Sequence, residues 1–298
     1  MSQIKGVFAA AVTPLNPDFT PAPEALATYL AFLQQRGCHG ALLLGTTGEG
    51  PSLSSNQRLE LMRSAISIRQ DNPDFALLAG TGTPSLDETV VNTRAAFDLG
   101  FDGVVVLPPY YFRKAGEEGL LFWYSEVIRR AVPEDGSVFF YHIPPLTGIN
   151  LTVDFFSRLR ELFPNQFAGL KDSSGDPIFC RALGDEFGDD LLVFTGNDRL
   201  FSQALQTHAS GCITAAASLI SPTLRAIWDR YLAGSQLEDL QEWVNGVREL
   251  LDRYAPFPPV IKALLANRFG FPHWAVCPPL RDLPQEIVDE ISSRLDLA

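Results

Sequence analysis

Phe167-Ala168-Gly169-Leu170-Lys171-Asp172-Ser173-Ser174-Gly175 is an apolar run that ends on a lysine and breaks into a polar loop closed by glycine. The run is continuous rather than alternating in polarity, as expected of a strand covered by helices on both faces. Similar runs occur at Val7 to Val12, Ala41 to Leu44, Phe75 to Ala79, Gly103 to Leu107, Val138 to Tyr141, Leu191 to Thr195 and Gly211 to Ala215. With Ala168 to Lys171 they make eight candidate strands. Helical patterns lie between them, with start signals in several places. Ser54 with Gln57 and Ser85 with Glu88 read as capping boxes, and Asp176-Pro177 and Ser221-Pro222 read as an N-cap followed by a first-turn proline. Eight βα repeats over roughly 220 residues predict a closed (β/α)8 TIM barrel rather than an open doubly wound sheet. Beyond the eighth strand the pattern is purely helical: Pro222 to Leu232, Leu237 to Tyr254, Pro259 to Phe269 and Glu286 to Leu295. The expected division is a barrel over 1–221 and a C-terminal helical extension over 222–298 that includes the last barrel helix.

Composition narrows the function classes. The chain has 298 residues, 46% apolar and 19% charged, and a net charge of −12. A surface short of Lys and Arg is a poor match for nucleic acid or anionic membrane. Met1-Ser2-Gln3-Ile4-Lys5 leads directly into an apolar strand without the layout of a secretory signal, so the expected location is the cytoplasm. Cys38, Cys180, Cys212 and Cys277 are widely spaced and read as buried free thiols. Asn150-Leu151-Thr152 matches a glycosylation sequon, but Thr152 reads better as a helix cap.

Barrel enzymes place their chemistry at the C-terminal ends of strands, and three ends here stand out. The chain has four lysines. Lys5, Lys114 and Lys262 are expected where an ammonium reaches water, whereas Lys171 ends a buried strand. Desolvation there favours the neutral amine, a nucleophile toward carbonyls. The same position also suits a lysine paired with Asp172 or another carboxylate. The second strand ends in Gly45-Thr46-Thr47-Gly48-Glu49-Gly50, which has neither the dinucleotide fingerprint nor a G-K-[ST] ending. Its tight turn offers the N–H groups of Thr46 and Thr47 as a seat for one carboxylate; it also reads as a plain capped βα turn. The fifth strand ends in Tyr141-His142-Ile143-Pro144. A phenol beside a desolvated amine suits proton transfer during carbinolamine chemistry, although a core tyrosine would look the same. His39, His142, His208 and His273 are too scattered for metal ligands, and no G-x-S-x-G elbow occurs. Asp172 should point away from Lys171 and anchor the loop.

These segments resemble the dihydrodipicolinate synthase and N-acetylneuraminate lyase family of class I aldolases. GALLLGTTGEG with Gln57, LPPYYF around Tyr110 and Tyr111, YHIPPLTG, GLKDSSGD and the CPPL segment at Cys277 occur in the family's order across nearly the whole chain. The resemblance implies a (β/α)8 barrel with a helical extension, usually assembled as a homotetramer (a dimer of dimers). It implies that Lys171 forms a Schiff base with pyruvate or another 2-keto acid, and that Thr46 and Thr47 bind its carboxylate. Tyr141 would be the acid/base, and Thr47 and Tyr111 would complete a proton relay, with the tyrosine in several members reaching in from a neighbouring subunit. Gly196, Asp198, Arg199 and Ile213 are the further substrate-binding positions, and no metal or organic cofactor is implied.

Departures from the family pattern bear on the substrate. Leu146 stands where dihydrodipicolinate synthases carry an arginine that holds the carboxylate of the aldehyde, which disfavours that activity. The sialic acid lyase branch often follows its Gly-x-Asp turn with Glu, whereas this chain has Gly196-Asn197-Asp198-Arg199. Arg199 suits either an acidic substrate tail or the cap of a surface helix, and His142 replaces the commoner Asn. The preferred expectation is a lyase that cleaves or forms a 2-keto-3-deoxy sugar acid. A sugar-acid dehydratase comes next, then dihydrodipicolinate synthesis, then a non-catalytic keto-acid sensor. Leu146, Asn197, Asp198, Arg199, Thr214 and Ala215 are the positions expected to separate them.

Overall fold

Eight parallel strands close into a barrel in sequence order, each hydrogen-bonded to the next and β8 to β1. They are β1 (Gly6–Ala10), β2 (Gly40–Leu43), β3 (Ala76–Gly80), β4 (Gly103–Val106), β5 (Val138–His142), β6 (Phe167–Asp172), β7 (Leu192–Thr195) and β8 (Gly211–Thr214). Each begins and ends within two residues of its expected bounds. The computed structural model describes residues 4–188 and 190–295; the start of the chain, Met1 to Gln3, on which the cytoplasmic expectation leaned, lies outside the described residues. The helices are α1 (Pro23–Gln35), α2 (Ser55–Ala65), α3 (Leu86–Asp98), α4 (Gly116–Ala131), α5 (Pro144–Thr147), α6 (Val153–Leu162), α7 (Pro177–Phe187), α8 (Phe201–Gln206), α9 (Ala217–Leu232), α10 (Glu238–Asp252), α11 (Phe257–Phe269) and α12 (Gln285–Arg294). Among the described residues, no helix is long and apolar enough to cross a membrane.

The unbroken apolar strands are explained by two cores. Outward-facing residues such as Val7, Leu43, Leu77, Val104, Phe140 and Val193 pack against the helices. Inward-facing residues such as Phe8, Leu42, Leu78, Val105, Phe139 and Phe194 fill the barrel. Within it, Phe194 meets Phe8 and Phe139 edge-on at centroid distances of 5.5 and 5.9 Å. These rings form a packed floor beneath the strand ends.

Helix starts follow the sequence signals, with two corrections. Ser54 and Gln57 form the reciprocal capping box, Asp176 caps α7, and Thr152 caps α6. Ser85 accepts from the Glu88 N–H without the return bond. The expected start at Ser221-Pro222 is the other correction. The helix begins at Ala217 and is broken at Ile220 (φ −118°, ψ 21°), while the buried Ser221 Oγ caps no backbone N–H. Pro222 is the physical cause, since it brings no N–H and its ring opposes a regular turn before it. The expected 221/222 division therefore falls inside α9, which packs on both β1 and β8.

Candidate active site

The pairing of β5 with β6 sets Tyr141 directly opposite Lys171, and His142 opposite Asp172. Alternation along the strands then sends the first pair inward and the second outward. Lys171 is only 3% exposed, and its Nζ donates to Tyr141 Oη at 3.1 Å while lying 4.1 Å from the phenol ring centroid. Ser173, the next inward position, donates to the same oxygen at 3.5 Å. Burial opposes ionisation of Tyr141. The charge of Lys171 and hydrogen bonds from Ser173, Lys171 and Thr46 outweigh it, leaving the phenol below its usual range.

The outward pair holds the frame. His142 Nδ1 lies 2.8 Å from Asp172 Oδ1 and its Nε2 lies 3.1 Å from Asn150 Oδ1. Asp172 also accepts from the backbone N–H and the hydroxyl of Ser174. It thus faces away from Lys171 and anchors the loop, and His142 latches the ends of β5 and β6 from behind. Gly196, at the end of β7, is forced by space: a Cβ there would lie 1.8 Å from Ser173 Oγ and 3.1 Å from Lys171 Cε.

The turn after β2 is bracketed by two non-glycine residues in the left-handed region, Leu44 (φ 59°) and Glu49 (φ 55°). Such strain persists only where surrounding contacts over-determine it. Here they do. Buried Arg58 donates to the carbonyls of Gly50, Leu53 and Gly80, and Thr13 donates to that of Gly48. A Cβ on Gly50 would fall 1.9 Å from the carbonyl oxygen of Leu44. Glu49 is buried and accepts from Lys262 Nζ at 2.5 Å and from the Cys277 N–H at 2.6 Å. Lys262 therefore departs from the expectation that it reaches water. It is 2% exposed and also donates to the Ala275 carbonyl, with its pKa lowered by desolvation against the pull of Glu49. Among the described residues no protein acceptor takes the N–H of Thr46 or Thr47.

Both threonines, Tyr141, Lys171, Gly196 and Ile213 line one cavity of about 520 Å³, a size suited to a small substrate. Leu146, Asn197 and Ala215 also face it, whereas the Thr214 hydroxyl accepts from the Ala217 N–H at the start of α9. Asp198 and Arg199 are not among the residues that line the cavity. Asp198 is fully buried behind the wall and pairs with Arg248, and Arg199 pairs with Asp252. Tyr111 is also elsewhere in a single copy of the chain: it is 75% exposed and packs edge-on against Phe112. A larger groove of about 970 Å³ lies at the N-terminal ends of the strands, beside His39, Phe75 and Ser210. It contains none of the strand-end residues.

Two parts of the cavity escape sequence reasoning. Ser173, Ser174 and Gly175 line it as the direct continuation of β6, a position that inward alternation from Lys171 predicts for Ser173. Arg248 and Ala255 to Pro258 come from the C-terminal extension. Arg248 stands four residues before Asp252 on α10 and so looks like half of a surface i,i+4 pair; nothing in the sequence marks it as a cavity residue.

Residues 3–298 match the model of the dihydrodipicolinate synthetase family. The chain belongs to that family. It is 38% identical over 289 residues to a DapA-like lyase of Chloroflexus aurantiacus, covering 97% of this chain and 95% of the relative. The dihydrodipicolinate synthase of Bacillus anthracis superposes with a TM-score of 0.89 at 25% identity, covering 98% of both chains. An Escherichia coli prophage protein of the same family, solved with pyruvate, gives 0.91 over 99% of both chains; at 23% identity this likeness shows the fold alone. The protein is an aldolase-type lyase of the dihydrodipicolinate synthetase family, with the closed barrel and C-terminal helices its sequence predicts.

Proposed function

We propose that this lyase forms a Schiff base between Lys171 and pyruvate, or the keto group of a 2-keto acid, and cleaves or forms a 2-keto-3-deoxy sugar acid. The observation that carries the reading is the buried Lys171–Tyr141 contact of 3.1 Å, in one cavity with the unclaimed N–H groups of Thr46 and Thr47. The substrate carboxylate sits on those N–H groups, which brings C2 to Lys171. The amine adds to C2, Tyr141 carries protons to and from the oxygen, and water leaves to give the iminium. Breaking the C3–C4 bond sends its electron pair into the iminium as an enamine, while the C4 hydroxyl gives its proton to the Tyr141 phenolate and the C4 fragment departs as an aldehyde. Protonation at C3 and hydrolysis then release pyruvate and restore the amine.

Membership of the dihydrodipicolinate synthetase family supports the keto-acid half of this reading. Leu146, 57% exposed at the cavity, supports the substrate half, because it presents no guanidinium where a synthase needs one. Thr47 and Tyr111 complete the proton relay in an assembly of several copies, with Tyr111 supplied by a second chain. Borohydride reduction with pyruvate tests the chemistry: one carboxyethyl group is expected on the Lys171 nitrogen, and an unmodified protein refutes the imine. A panel of 2-keto-3-deoxy acids, assayed separately for pyruvate release and for dehydration, tests the substrate. Turnover of pyruvate with aspartate semialdehyde alone would replace this assignment with dihydrodipicolinate synthesis.

A further inference from the structure

Among the described residues, Lys171 and Arg248 are the two charged residues on the cavity wall, and no carboxylate joins them there. The acids near Arg248 stand behind it. Its Nη1 donates to Asp198 at 3.0 Å and its Nε to Asp252 at 2.7 Å, and the guanidinium carbon lies 4.7 Å from the centroid of the Phe257 ring. Arg199 in turn pairs with Asp252 at 3.2 Å, so cations and anions alternate through Arg199, Asp252, Arg248 and Asp198. An arginine carries five N–H donors in a fixed plane, and these two bonds leave the others unused. The group is therefore held rigid by side chains that do not enter the cavity, with one face covered by an aromatic ring and donors to spare.

A polyhydroxylated tail needs acceptors for its O–H groups, and strong ones are carboxylates. The acidic residue of the turn after β7, Asp198, is withdrawn from the cavity by Arg248, and the position after it is Arg199. What the wall offers instead is a preorganised donor fork. We infer that Arg248 is a specificity-determining residue that binds a carboxylate on the part of the substrate remote from the keto group, so that among 2-keto-3-deoxy sugar acids the preferred substrates are those that end in a second carboxylate. This rests on the Schiff-base reading and adds the charge of the second substrate to it. In the condensing direction the partner of pyruvate is then an aldehyde acid.

The test is condensation of pyruvate with succinic semialdehyde against 4-hydroxybutanal, whose chains have equal length and differ in the terminal group. Borohydride trapping of pyruvate on Lys171 is run first on each protein; loss of trapping in the native enzyme refutes the imine itself, and the present inference with it. With trapping intact, the native enzyme should prefer the aldehyde acid in kcat/KM by at least about tenfold. Arg248→Met should abolish the preference by weakening the acid while changing the neutral aldehyde less than about threefold. Because this substitution strands the buried Asp198, Arg248→Met is also made with Asp198→Asn, which removes the stranded charge. Arg248→Lys should restore part of the preference. No preference in the native enzyme, or equal losses on both aldehydes in the double variant, overturns the inference while leaving the imine untouched.

Discussion

The end of β6 and the middle of α11 each bury a lysine to nearly the same depth, 3% exposed for Lys171 and 2% for Lys262. Their partners differ. Lys262 is met by the carboxylate of Glu49 and the carbonyl of Ala275, which together satisfy an ammonium and immobilise it. Lys171 is met by a phenol and a ring face, and the neighbouring carboxylate, Asp172, is turned outward and occupied by His142. Burial alone thus does not make a reactive amine. A paired buried charge is structural, and one whose partner can itself move a proton is suited to chemistry.

The contrast can be broken most severely at Lys171. Lys171→Ala should remove the borohydride-trapped adduct and lower turnover about 10⁶-fold, as for loss of another covalent nucleophile, with little change in thermal unfolding; preserved activity would end the comparison. Tyr141→Phe should lower kcat by about 10²–10⁴-fold, the usual worth of a positioned acid/base, and weaken pyruvate capture far less. Equal losses in steady-state turnover and trapping would deny Tyr141 its proton-transfer role.

Lys262→Met should do the reverse. It leaves Glu49 buried without its cation and should cost about 3–5 kcal/mol of stability in chemical denaturation. Lys171 should still be trapped by pyruvate in the protein that remains folded. Glu49→Gln combined with Lys262→Met should recover much of the loss, and a double variant as unstable as the single one would show that the pair is not the source.

A smaller effect concerns pH. The folded-state pKa of Tyr141 lies below the ordinary 10.0, so between the two values the folded protein has released a proton that the unfolded chain still holds. Stability from this group is therefore fully present above pH 10.0, and is lost as pH falls through the lowered value. Ultraviolet titration should reveal one phenol ionising early, missing in Tyr141→Phe. The mildest signal is complementation. Inactive Tyr111→Ala and Lys171→Ala chains, dissociated and reassembled together, should regain partial activity if each site takes its tyrosine from a second copy, and continued inactivity would remove Tyr111 from the relay.

Much of this was legible in the residues. Eight unbroken apolar runs required a sheet covered on both faces, and the two inward positions at the ends of β5 and β6 followed from strand alternation. Lys262 was not legible, because its partners Glu49 and Ala275 lie 213 and 13 positions away and only the closed fold brings both to it. Asp198 is similar: the family resemblance put it among the substrate-binding positions, and its pairing away from the cavity depends on a guanidinium 50 residues downstream. Local pattern specifies which face a residue takes; the neighbour waiting there is a property of the whole chain.

The clamp on Glu49 has a consequence for synthesis. Its two donors, Lys262 and the Cys277 N–H, lie 213 and 228 positions beyond it. A chain emerging from the ribosome exposes every barrel strand before either donor exists, so the left-handed Glu49 at the edge of the threonine turn has no counter-charge until translation is nearly complete. Partial polypeptides therefore carry Lys171 and the threonine turn before the clamp that fixes that turn is complete.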